Sequence, residues 1–139
     1  MSVALYSNPT DSLLLSKSEL APLDKNVYWF AVTNYSDKAL YLSGGRNDKG
    51  LTSKEVYVFN VDEGTWGDKR EPDLNVGRID HGVCVLGDRI YVVCGYAYGY
   101  GYLESMEMLD LSVERKRSIL GRESGRTWNI FTVPPLTPR

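Results

Sequence analysis

Histidine is nearly missing from this chain: His81 is the only one among 139 residues. A site built from two or more imidazoles is therefore excluded, and with it three-histidine zinc, Cys2His2 fingers and most copper chemistry. Cysteine is also scarce, with Cys84 and Cys94 alone. Two thiols make no disulfide scaffold and suit a reducing compartment. No stretch approaches 18 continuous apolar residues, so no candidate for a membrane-spanning helix exists. The opening run Met1–Pro9 lacks both the basic and the apolar segment of a secretory signal, and the expected compartment is the cytoplasm, with the nucleus as the alternative. Charge of one sign is missing too, since 16 Lys and Arg face 18 Asp and Glu, a net of −2. Such a chain has no global reason to seek nucleic acid or an anionic membrane, and neither is expected as a partner. Phosphate-cradling glycine loops, a Gly-x-Ser-x-Gly elbow and a dinucleotide fingerprint do not occur. No cofactor or metal is expected, and the chain is read as a non-enzyme.

What the sequence does have is 42% hydrophobic residues, enough for a packed core, and an internal repeat. Leu40–Gly45 realigns with Ile90–Gly95 at an offset of 50, and Val56–Val61 falls on Met106–Leu111 at the same offset. Each block is a short apolar, β-branched or aromatic run closed by Gly, Asp or Asn, which is a strand signal. Between Asp80–Leu86 and Arg89–Cys94 stands Gly87-Asp88, a two-residue hairpin turn. The spacing predicts four strands per period: Val27–Thr33, Ala39–Ser43, Glu55–Val61 and a short strand at Trp66, then Asp80–Leu86, Arg89–Cys94, Ser105–Leu111 and Thr127–Thr132. Four antiparallel strands every ~50 residues describe a propeller blade.

These residues resemble a kelch repeat. The pattern of that family is an apolar strand ending in Gly-Gly, then a ring, then a Trp about seven residues on, and Gly44-Gly45, Phe59 and Trp66 fill those places. The approach to the second repeat, from Gly77 and Arg78 through His81 and Gly87 to Tyr91, is similar as well. Cys94, Leu109 and Lys116 depart from the pattern; Trp128 follows twelve residues after Lys116 and marks an insertion at 112–126. The resemblance covers Leu40 to Arg139 and implies an all-β, partial kelch-type β-propeller. It would have two complete four-stranded antiparallel blades, at 27–76 and 77–139, and a truncated N-terminal half-blade at 1–26, read from apolar runs at Ser2–Ser7 and Ser12–Ser16. All three tryptophans are expected in blade cores.

Turn geometry pairs Cys84 with Tyr91 and His81 with Cys94, so alternation sends the two thiols to opposite faces and forbids a disulfide. A His81–Cys94 dyad is weighed against a buried structural thiol beside a strand histidine, and the structural reading is preferred because nothing nearby supplies an oxyanion hole. The kelch resemblance places partner contacts on the second-to-third and fourth-to-first strand loops. By position these are Arg46, Asn47 and Asp48; Lys69 and Arg70 with Arg78; and the run Tyr96, Tyr98, Tyr100, Tyr102. Tyr and Arg dominate interface hot spots, which suits a scaffold or adaptor that binds proteins. The insertion, with Arg115, Lys116, Arg117, Arg122 and Arg126 against Glu114 and Glu123, reads as a solvated basic loop. Closed propellers have 4–8 blades, so an arc this short leaves blade faces open. If each open face holds ~500 Å² of apolar area, ~12 kcal/mol of burial is unrealised per face, as much as a domain's net stability. Self-association, or docking that closes the incomplete propeller, is the expected remedy. A structural subunit using its blade edges, or a propeller enzyme or carbohydrate-handling protein, is the alternative.

Overall fold

The computed structural model describes residues 23, 25–67, 71–113, 116–117 and 123–133, and among them no helix occurs. No helix there is long and apolar enough to cross a membrane. The strands are β1 (Ala31–Tyr35), β2 (Ala39–Ser43), β3 (Val56–Asn60), β4 (Thr65–Trp66), β5 (Gly82–Leu86), β6 (Arg89–Val93), β7 (Tyr96–Ala97), β8 (Gly101–Tyr102), β9 (Ser105–Asp110), β10 (Lys116–Arg117), β11 (Glu123–Ser124) and β12 (Asn129–Thr132).

They form two four-stranded antiparallel meanders, β1-β2-β3-β4 and β5-β6-β9-β12. Two small hairpins, β7-β8 and β10-β11, are inserted in the second of these sheets, after its second and third strands. The fold is all-β and its two sheets are blades of a partial kelch-type propeller. The expected half-blade at Ser2–Ser7 and Ser12–Ser16 lies outside the described residues.

The repeat is realised residue by residue. Leu40 stands opposite Phe59 in the first blade, and Ile90 opposite Leu109 in the second. Before the first hairpin the offset becomes 51 residues, because Ser36–Lys38 makes a three-residue turn where Gly87-Asp88 makes two. Val27, Trp29 and Phe30 thus correspond to Arg78, Asp80 and His81. Trp29 and Asp80 both take the left-handed conformation, at φ 54° and 53°. That kink ends each first strand, so the strands expected from Val27 and Asp80 begin instead at Ala31 and Gly82.

Strand alternation gives each blade two faces. Tyr41 and Val56 of the first blade are buried in one cluster with Ile90, Val92, Leu109, Leu111 and Trp128 of the second, and with Leu74 between them. Trp128, beside Leu109 in this core, plays the part that Trp66 plays against Phe59, with ring centroids 5.2 Å apart. The opposite face of the first blade carries Leu42 and Tyr57 under Leu23, Val27, Phe30 and Trp66.

The seam between the blades is fixed at Gly44 and Gly45. Gly45 N–H donates to the Arg78 carbonyl at 2.9 Å. A Cβ on Gly44 would lie 2.5 Å from that oxygen and 2.7 Å from the His81 ring. Only glycine lets the second blade come this close, and Gly44 also has φ 63°.

Candidate functional site

Tyr28 and Arg46 pair through their backbones just before β1 and just after β2, and Ile79 and Tyr96 do the same in the second blade. Arg46 and Tyr96 therefore start equivalent loops, and both loops leave the same end of the stacked blades. In the first loop the Asn47 side-chain oxygen accepts from the N–H groups of Lys49 and Leu51, each at 3.0 Å, which folds the turn. The Arg46 guanidinium lies 5.7 Å from the Trp29 ring centroid, a cation–π arrangement. Asp48 is exposed beside it.

In the second loop, β7 and β8 pair Tyr96 with Tyr102 and bury Ala97 beneath the turn. The Tyr96 ring meets Tyr98 edge-on at 5.8 Å and Tyr102 at 5.2 Å. Tyr100 and Tyr102 remain 83% and 88% exposed, and Trp29 55%. The end of the molecule thus presents Tyr28, Trp29 and Arg46 from one blade and Tyr98, Tyr100 and Tyr102 from the next.

Arg78 is not on this surface. It is wholly buried, and its guanidinium donates to Glu107 Oε2 at 2.6 Å and to the carbonyls of Cys94 and Ser105. Glu107 in turn accepts from Asn75 and from the Val76 N–H. The cation expected at the rim is a bolt inside the second blade. Lys69 and Arg70 lie outside the described residues. Asn47 serves the turn, while Arg46, Asp48, Tyr98, Tyr100 and Tyr102 are the solvent-facing members of the expected set.

Trp29 and Tyr28 were not anticipated. The expectation that all three tryptophans are core holds for buried Trp128 and half-buried Trp66 but fails for Trp29. The signal lay in the repeat: with the 51-residue offset, Trp29 aligns with exposed, left-handed Asp80. A bulky aromatic in that conformation carries a backbone cost that propensity alone would avoid.

Neither thiol joins a site. Cys84 and Cys94 are free, exposed and half-buried respectively. The strand ladder ends at Gly82 and Val93, so the expected His81–Cys94 pair does not form; His81 Nε2 bonds Ser43 Oγ across the blade seam at 3.0 Å instead. Burial, reinforced by the nearby Arg78 charge, pulls the His81 pKa down to about 4. Arg126, expected in a solvated loop, instead bonds Glu71 at 2.7 Å and the carbonyls of Leu111 and Val113, tying the inserted hairpin to the segment between the blades. Among the described residues no group of three or more His, Cys, Asp or Glu could hold a metal ion.

No known family profile matches the chain. It is similar to kelch domain-containing protein 3 of Bos taurus, with 36% identity over 61 residues, 43% of this chain and 16% of that protein. The same identity and coverage hold for kelch domain-containing protein 3 of Rattus norvegicus and of Mus musculus. The matched segment spans about one sixth of the length of these relatives. Paired registers, the glycine seam and this shared segment together support the reading of the two four-stranded sheets as kelch-type propeller blades.

Proposed function

We propose that the chain is a non-enzymatic protein-interaction module, a scaffold or adaptor that takes protein partners on the loop end of its blades. Trp29, Arg46, Tyr98, Tyr100 and Tyr102 supply the contacts. One observation carries the reading: large exposed aromatic side chains from two consecutive blades gather at a single end, beside an arginine held over a ring. Trp, Tyr and Arg combine apolar area with a polar handle and lose little rotamer freedom on binding. The cytoplasm, where the free thiols Cys84 and Cys94 stay reduced, is the compartment we assign.

A photo-crosslinking residue at Tyr100, with a control at exposed Ser36 on the opposite end, tests the proposal. A protein captured from position 100 and not from 36 is expected, and Trp29→Ser or Tyr100→Ser should weaken binding of that purified protein at least ~10-fold. Equal capture at both ends, or affinity unchanged by both substitutions, would overturn it.

A second surface supports docking of the structural kind. Cys84, Leu86, Tyr91, Val93, Met106, Met108 and Phe131 share the face of the second blade turned away from the first. They correspond to the first-blade residues that the second blade covers, and among the described residues no strand stacks on them. A further blade, from a longer chain or from a partner, is the cover we assign to that face.

A further inference from the structure

We infer that the tyrosine hairpin Tyr96–Tyr102, with Asp80 and Glu104 beside it, is a docking surface for an arginine presented by a protein partner. This rests on the reading of that hairpin as a partner surface and names the chemistry of the group it takes.

The repeat is the first reason. Tyr28 bridges to Arg46 in the first blade as Ile79 bridges to Tyr96 in the second. The residues that follow Tyr28 and Ile79, Trp29 and Asp80, share the left-handed conformation. A ring and a cation thus meet in the first blade, where the Arg46 guanidinium lies 5.7 Å from the Trp29 centroid. In the second blade the same two places hold a carboxylate, Asp80, and a ring, Tyr96. The first blade supplies its own guanidinium to the rim; the second supplies everything that would receive one.

Charge is the second reason. Asp80 and Glu104 are exposed, and among the described residues neither forms a salt bridge. They flank the hairpin: Asp80 follows Ile79, whose N–H and carbonyl both bond Tyr96, and Glu104 stands two residues after Tyr102. Residues 79–88 and 95–104 contain no Lys or Arg, whereas the loop of the first blade sets Arg46 and Lys49 against Asp48. The surface is the third. Tyr96 meets Tyr98 and Tyr102 edge-on, so these rings are braced before a partner arrives, and Tyr100 and Tyr102 are almost wholly exposed. A planar guanidinium stacks on such a ring while its N–H fork reaches a carboxylate, and an ammonium does both less well. Arginine is the side chain that uses both parts of the surface.

The test titrates the full chain of 139 residues with blocked peptides Gly-Gly-X-Gly-Gly, where X is arginine, lysine or citrulline, the neutral isostere of arginine. Proton NMR should show the arginine peptide shifting the Tyr98 and Tyr102 ring protons saturably, with its own δ-methylene protons moved upfield by the rings. It should bind at least ~3-fold more tightly than the lysine peptide and at least ~5-fold more tightly than the citrulline peptide. Asp80→Asn, Glu104→Gln and Tyr102→Ser should each weaken it at least ~3-fold, and Asp62→Asn at the opposite end should leave it unchanged. Asparagine tolerates the left-handed conformation, so Asp80→Asn keeps the local backbone. Equal affinity for the arginine peptide and either of the others, or a loss in Asp62→Asn as large as in Asp80→Asn, would overturn the inference. Peptides that fail to discriminate while partner binding still depends on Tyr100 would sink this inference alone. Peptides that discriminate as expected while partner binding ignores the tyrosines would sink the partner-surface reading alone.

Discussion

Arg78 and Glu107 have no exposed side-chain surface and stand 2.6 Å apart. At the corresponding places the first blade has Val27 and Tyr57, packed in one apolar cluster. The two blades thus solve one packing problem with an ion pair and with an apolar pair. Breaking a buried pair from one side strands a charge and costs ~3–5 kcal/mol, whereas replacing both partners can be nearly neutral. Arg78→Val and Glu107→Tyr should each be strongly destabilising in urea unfolding, and the double substitution should recover part of the loss. Recovery stays partial because the Asn75 and Val76 N–H groups also depend on Glu107. A second contrast lies at the strand ends. Gly44 and Cys94 occupy equivalent positions at φ 63° and 56°. At Gly44 a Cβ would strike the next blade, so Gly44→Ala should cost ~2 kcal/mol or more. Cys94 already has its Cβ, in a conformation that costs an L-residue ~1–2 kcal/mol. Cys94→Gly should leave stability unchanged or raise it by up to about 1 kcal/mol, read from the denaturation midpoint.

The elements were legible where a strand is bounded by its own turn and illegible where a single residue bends the chain. β2 was expected at Ala39–Ser43 and lies there, because the alternation and Gly44 define both its ends. β1 and β5 start later than expected because Trp29 and Asp80 turn left-handed, which no propensity for an aromatic would suggest. The burial of Arg78 was hidden for a different reason: its partner Glu107 is 29 residues away and looks like a surface carboxylate in an alternating strand. Exposed Trp29 was hidden by the usual fate of tryptophan, although the tyrosine run could be recognised as a loop from its glycines. The burial of His81 at the seam, reinforced by the Arg78 charge and only partly offset by its bond to Ser43, gives the seam a pH dependence. The folded pKa of about 4 lies below the ordinary 6.5, so the unfolded chain binds the proton more readily. The contribution is complete above pH 6.5 and is lost as pH falls toward 4, by about 3 kcal/mol at ~1.4 kcal/mol per unit. Between pH 7 and pH 5 the parent should lose more stability than His81→Gln. Parallel stability curves would remove His81 as the cause.

Among the described residues two four-stranded sheets stack through one seam, and the next equivalent face is bare. That order explains why one end gathers loops from both blades, and why the aromatic rim exists at all: it is assembled only if the blades stack in this sense. The measurement that tests the stacking most directly is the set of proton cross-peaks made by the Ile90 and Val92 methyl groups. The account predicts contacts to Tyr41 and Val56 of the first blade. Methyl groups that contact only residues of their own sheet, or a Tyr41 ring that instead meets Tyr91 and Met108, would contradict it.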